Sequence, residues 1–201
     1  SSEGEFKKGV KDGTWKYYSK TSLYKYFLES EGKYKNGRKI GLWESWRPGH
    51  LESIGRYLNI SKYDKKEYGT EEKQIDRDRK DGLWKYYSVA VFYGAREDKY
   101  YLSSTEYYQK GKLIEYKSFL INGNLDYSWK NSVKTTYFAN GKIKTKSNYT
   151  SVGVVVYNEV IKGLIEPKWC MLDGTYESWY NNGNMKSRGT YKYKPKTNHN
   201  I

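Results

Sequence analysis

The sequence predicts an all-β protein: a repeat array of antiparallel β-hairpins forming one elongated, twisted sheet. Three observations carry the prediction. First, a block of glycines and aromatics recurs at fixed offsets, complete in Gly4-Glu-Phe6-Lys-Lys-Gly9-Val-Lys-Asp12-Gly13-Thr-Trp15 and again in Gly32-Lys-Tyr34-Lys-Asn36-Gly37-Arg-Lys-Ile-Gly41-Leu-Trp43. Recurrence over a few tens of residues marks stacked units that share a core. Second, Asn-Gly pairs (Asn36-Gly37, Asn122-Gly123, Asn140-Gly141, Asn182-Gly183) and Asp-Gly pairs (Asp12-Gly13, Asp81-Gly82, Asp173-Gly174) punctuate the chain. Such pairs favour the positive φ of hairpin turns, whose twist matches the strands they join. Third, the intervening runs alternate and are rich in aromatic and β-branched residues, and none shows a helical period.

In chain order, the first half-unit, Gly-x-aromatic-x-x-Gly-x-x-x-Gly-x-Trp, recurs in pieces as Asp81-Gly82-Leu-Trp84 and Asp173-Gly174-Thr-Tyr176, and near Asn122-Gly123 through Trp129. A second half-unit places an aromatic three residues before a Gly and an apolar residue two after it: Trp46/Gly49/Leu51, Tyr108/Gly111/Leu113, Phe138/Gly141/Ile143 and Tyr180/Gly183/Met185. Strands are expected over Thr14–Tyr18 and Lys142–Lys146. In Gly13-x-Trp15, Gly41-x-Trp43 and Gly82-x-Trp84 the Gly and the ring share a sheet face. Two readings stand: a ring from a neighbouring strand covers each such Gly, or these glycines mark turn boundaries. The array spans residues 1–194, with insertions near 58–79, 88–105 and 150–172, and residues 195–201 form a polar tail.

At these residues the chain resembles the bacterial MORN-repeat variant family, over Glu31–Tyr57 and then over Gly174–Tyr191. The resemblance implies a row of antiparallel hairpins and, from family members of the YwqK type, an antitoxin-like role; eukaryotic MORN proteins suggest membrane contact or scaffolding. It brings no catalytic motif, and repeat insertions tend to lie on a binding side.

Composition narrows the classes. Leu, Ile, Val and Phe make only 36 of 201 residues and the net charge is +14, a balance that on its own points to disorder. The 24 tyrosines and 7 tryptophans reverse this, because their rings bury large areas while keeping one polar edge wet. The basic residues are scattered, and 30 of the 37 are lysine. They populate solvent-facing strand positions that discourage edge pairing, or they attract an anionic partner. Lys142, Lys144 and Lys146 are expected to project from one strand face as a cationic ladder, and Lys186 and Arg188 continue an acid-free stretch. Arginine, the usual bidentate reader of phosphates and bases, is sparse, so specific nucleic-acid recognition is disfavoured.

No catalytic constellation emerges. His50 lies in a Pro48-Gly49-His50 turn and His199 in the tail, neither near a nucleophile; Cys170 stands alone between Trp169 and Met171, without zinc-ligand spacing. Asp76-Arg-Asp78-Arg-Lys-Asp81-Gly82 has the wrong spacing for a calcium loop. Hence no enzyme, cofactor or metal is expected. The first functional reading is a non-enzymatic repeat protein that binds a protein partner through exposed aromatics: Tyr18, Trp46, Tyr87, Tyr108, Phe138 and Tyr180. The alternative is a binder of an anionic polymer or membrane surface (acidic glycan, lipid head groups, nucleic acid) through rings interleaved with Lys142, Lys144, Lys146, Lys186 and Arg188. Open sheet edges also permit self-association. The opening Ser-Ser-Glu-Gly suggests a leader removed from an exported bacterial lipoprotein, with a cytoplasmic location as the alternative.

Overall fold

The computed structural model describes residues 1–21, 25–58, 79–90, 98–151 and 170–193. The insertions expected near 58–79 and 150–172 fall largely outside these residues, as do His199 and the first three residues of the Asp76–Gly82 run; most of the one expected near 88–105 is described and is regular strand, which corrects that expectation. The chain is all-β and built of antiparallel hairpins. Among the described residues the strands are β1 (Ser2–Lys7), β2 (Val10–Lys20), β3 (Tyr26–Lys35), β4 (Arg38–Arg47), β5 (His50–Tyr57), β6 (Lys80–Ala90), β7 (Lys99–Gln109), β8 (Lys112–Phe119), β9 (Leu125–Lys130), β10 (Val133–Tyr137), β11 (Ile143–Ser151), β12 (Cys170–Trp179) and β13 (Met185–Tyr191). Each strand bonds to its neighbours in sequence.

Two compact units are present: Ser1–Tyr116 with Ile121–Gly123, and Lys117–Leu120 with Asn124–Ile201. Strand β8 contributes its first residues to one and its last to the other.

Seven of the described turns are of two kinds, and the Pro48-Gly49 turn between β4 and β5 is a third, two residues long with positive φ at Gly49 alone. Two-residue turns with both φ positive join β1 to β2 (Lys8-Gly9), β3 to β4 (Asn36-Gly37), β7 to β8 (Lys110-Gly111) and β9 to β10 (Asn131-Ser132). This is the twist-matched I′ geometry. The other three Asn-Gly pairs sit in three-residue loops with positive φ at Gly alone, closed by Leu120 N–H to Asn124 O, Phe138 N–H to Lys142 O and Tyr180 N–H to Asn184 O, each 2.8 Å.

The Asp-Gly pairs correct the sequence reading. None is a hairpin turn; they lie inside β2, β6 and β12, at register shifts where Gly13, Gly82 and Gly174 take φ of 74°, 67° and 101°. A bulge demands positive φ as a turn does, so the same dipeptide serves both. The Asp carboxylates accept backbone N–H groups from elsewhere in the chain: Asp12 from Asn36 at 3.3 Å, Asp81 from Lys110 at 3.1 Å and Asp173 from Tyr193 at 3.2 Å.

Rings do cover glycines in the first unit, though not the ones expected. A Cβ at Gly4, Gly32 or Gly55 would lie 2.3, 2.2 or 2.0 Å from the indole of Trp15, Trp43 or Trp84, whereas Gly41 and Gly82 meet nothing within 4 Å. Each indole N–H then donates to the carbonyl of the residue after its covered glycine: Trp15 to Glu5 O and Trp43 to Lys33 O at 3.2 Å, Trp84 to Arg56 O at 3.0 Å. Glycine is required at these three positions by close approach. The indoles, 3–4% exposed, are the centre of the packing.

Candidate binding surfaces

In an antiparallel sheet, residues paired across strands share a face and successive residues alternate. Register therefore sorts the first unit into two faces. One holds the row Gly4–Trp15–Gly32–Trp43–Gly55, with Trp84 over Gly55 and paired to Glu106. Beside the indoles stand Phe6, Tyr34, Tyr57 and Tyr108, edge-on where they meet a Trp, as in Tyr34–Trp43 at 5.2 Å and 90°. Over the rings lie Lys11, Lys39 and Lys80, whose ammonium groups sit 4.4, 4.2 and 4.7 Å from the centroids of Trp15, Trp43 and Trp84.

Glu106 ends the row where a glycine would continue it. Its side chain is accommodated there and is 6% exposed as a residue. Its Oε2 accepts Tyr86 O–H at 2.5 Å, Tyr108 O–H at 2.9 Å and Lys80 Nζ at 3.1 Å, and Lys80 also donates to the Tyr86 oxygen. Burial, reinforced by the Glu106 carboxylate, pushes the pKa values of both Tyr86 and Tyr108 well above the ordinary tyrosine range. The cluster is saturated: each phenol donates to the carboxylate, and the ammonium balances its charge.

The opposite face carries a second row. Tyr18 pairs with Leu28, Trp46 with Leu51 and Tyr87 with Leu102, one pair per hairpin and each half-buried. An open groove of about 400 Å³ runs beside Trp46, between Leu28 and Leu51. At its edge His50 stacks on Tyr100 at 4.3 Å, and the buried His50 Nδ1 finds no hydrogen-bond partner among the described residues. Tyr18 donates to Glu3 at 2.6 Å, and this bond raises its pKa.

The structure thus separates residues that the sequence grouped together. Tyr18, Trp46 and Tyr87 form one row. Tyr108 belongs to the other face and is 9% exposed, which corrects the expectation that it is an exposed contact residue. It stands before the Lys110-Gly111 turn as Tyr34 stands before Asn36-Gly37, so counting back from its glycine assigned it to the wrong half-unit. Phe138 and Tyr180 lie at hairpin ends, because the three-residue loops add one residue; the residues in register with Trp46 are Tyr137 and Trp179. What sequence reasoning missed is Glu106. The signal was its place in Glu106-x-Tyr108, where Gly4-x-Phe6, Gly32-x-Tyr34 and Gly55-x-Tyr57 have glycine.

In the second unit the expected cationic ladder loses a rung. Lys142 lies in the turn before β11, and its ammonium donates to Asn182 O at 2.9 Å. Lys144 occupies a bulge, with its ammonium 5.9 Å from the Phe138 centroid, and Lys186 takes the matching position 5.7 Å from Tyr180. Lys146 pairs in register with Glu177, whose carboxylate binds Arg188 at 2.8 Å. All five cations are exposed. Among the described residues no group of three His, Cys, Asp or Glu side chains could hold a metal ion.

Residues 130–150 and 172–193 match the family model described as MORN repeat variant. Each segment covers one hairpin of the second unit, β10–β11 and β12–β13. The second contains Gly174–Tyr191, one of the two stretches expected to resemble that family; the other, Glu31–Tyr57, lies outside the matched residues. No curated protein and no solved structure matches the chain.

Proposed function

We propose that this repeat protein is a non-enzymatic interaction module that binds a protein partner through the Tyr18–Leu28, Trp46–Leu51, Tyr87–Leu102 row of its first unit. The carrying observation is the contrast between two faces built from the same repeats. On the Trp15 face the rings are spent on packing against glycine and on hydrogen bonds to backbone carbonyls. On the other face, aromatic–aliphatic pairs recur in register across β2 to β7 and stay half-exposed. At about 4.8 Å per strand this row spans roughly 24 Å. That length suits a protein surface better than a small ligand. Tyrosine and tryptophan flanked by aliphatic neighbours are the residue types that dominate binding energy at such surfaces. The antitoxin-like and scaffolding roles implied by the resemblance are narrower forms of the same reading and differ only in the partner.

The test is affinity capture with the full chain, comparing wild type with Tyr18→Ala/Trp46→Ala/Tyr87→Ala. One stoichiometric protein should be retained by wild type and weakened at least tenfold by the triple variant, with the near-ultraviolet signal of Trp15, Trp43 and Trp84 unchanged. Retention of that protein at wild-type affinity by a correctly folded triple variant would remove the proposal.

A further inference from the structure

We infer that the hairpin tips of the second unit form a separate binding site for a linear acidic polysaccharide, with ring and lysine side chains as paired subsites. The first argument is a comparison internal to the chain. Five strand pairings share one bulge, in which a residue of the second strand is left without a partner in the backbone register: Glu29, Glu52 and Ser103 in the first unit, Lys144 and Lys186 in the second. The fold accepts acid, hydroxyl or base at this position. The lysines are therefore not a requirement of the repeat.

The second argument is geometry. Thr145, Ser178 and Ser187 align across β11, β12 and β13, and Lys146, Glu177 and Arg188 form the next rank. Lys144 and Lys146 thus stand on β11, and Lys186 and Arg188 on β13, two strands away. Two strand spacings make the cationic columns about 10 Å apart. The tips are held side by side by Asn140 Nδ2 donating to Asn181 Oδ1 at 2.6 Å and by the Lys142 bond to Asn182 O. Glu177 neutralises Arg188, whereas among the described residues no carboxylate pairs with Lys144, Lys146 or Lys186.

Chemistry selects the ligand class. Beside each bulge lysine lies a ring, Phe138 or Tyr180, and Tyr180 is 52% exposed. A pyranose offers an apolar C–H face for a ring and, in a uronate, a carboxylate for the neighbouring ammonium. A linear polyuronate repeats both groups along its length. Described residues of this unit carry nine basic side chains against three acidic ones, which favours approach of a polyanion. Nucleic acid fits less well, because the one arginine here is already paired with Glu177.

The experiment titrates the full chain with alginate oligosaccharides, with neutral dextran, single-stranded poly(dA) and anionic phosphatidylglycerol vesicles as the other arms. Alginate should bind, weaken as salt rises, and bind tighter than every other arm. Lys144→Glu/Lys186→Glu installs the residue type the first unit already carries at this bulge; it should weaken alginate at least tenfold while leaving circular dichroism unchanged. Phe138→Ala/Tyr180→Ala should weaken alginate several-fold and leave residual poly(dA) binding unaltered. Undiminished alginate binding by the folded charge-swap variant overturns the inference. Equal binding of dextran, or tighter binding of poly(dA) or vesicles than of alginate, also overturns it.

Discussion

Glu106 shows how one side chain changes a repeat. At the equivalent positions Gly4, Gly32 and Gly55 an indole lies where a Cβ would be; at Glu106 a carboxylate gathers two phenols and an ammonium. The consequence is pH-dependent. Tyr86 and Tyr108 keep their protons in the folded state well above pH 10, while the unfolded chain releases them near the ordinary value of 10.0. A folded-state pKa raised above the unfolded one gives stability that is complete below the unfolded value and lost as pH rises beyond it. Each such tyrosine should therefore lower stability by about 1.4 kcal/mol per pH unit above 10. Denaturant melts of Tyr86→Phe at pH 9, 10 and 11 should show a shallower alkaline decline than wild type. An identical decline would mean that the phenol is not held protonated.

At the scale of the element, the glycines divide by physical cause. Gly55 is needed because its Cβ would enter the Trp84 ring, at 2.0 Å. Gly41 is needed because its φ is 65°, with open space around it. Gly55→Ala should cost about 1–3 kcal/mol through overpacking, and Gly41→Ala about 1–2 kcal/mol through backbone strain. The two costs respond differently to a second change: Trp84→Leu should relieve the penalty at position 55 and leave that at 41 untouched. A thermodynamic cycle measured by chemical denaturation reads the coupling. Much of this element chemistry is legible in the sequence, since the offsets of Gly32-x-Tyr34 and Gly41-x-Trp43 are local. The assignment of roles is not, because both glycines lie two residues from an aromatic and only the register shows which one a ring covers.

At the scale of the whole molecule, the described strands pair in sequence order, each with its neighbours along the chain. Stability in such an array is close to a sum of repeat terms and nearest-neighbour interfaces. A chain ending after Ser151, and so lacking β12 and β13, should keep the first unit folded, with the Trp43 and Trp84 environment intact. Its near-ultraviolet spectrum and the denaturant midpoint of that unit are the readouts; loss of both would show that folding is all-or-none along the chain. The charge at one repeat position also differs between the units. The common bulge carries Glu29 and Glu52 in one unit and Lys144 and Lys186 in the other. One repeat template thus carries acid, hydroxyl or base at the same position.

The repeat, the all-β class and the Asn-Gly hairpins follow from the sequence alone, because residue spacing and glycine's access to positive φ are local properties. Tertiary structure decided which repeated aromatics are core and which are surface. A loop one residue longer, as at Asn140-Gly141 compared with Pro48-Gly49, changes the register that follows, and in a sheet a shift of one residue exchanges the faces. That is why Phe138 and Tyr180 end at the hairpin tips, whereas Tyr108, before a two-residue turn, is buried because its strand carries the half-unit that holds Tyr34. It is also why the glycines that make room for the indoles are Gly4, Gly32 and Gly55: the ring and the glycine it covers meet across strands, and only the pairing of the folded chain brings them together.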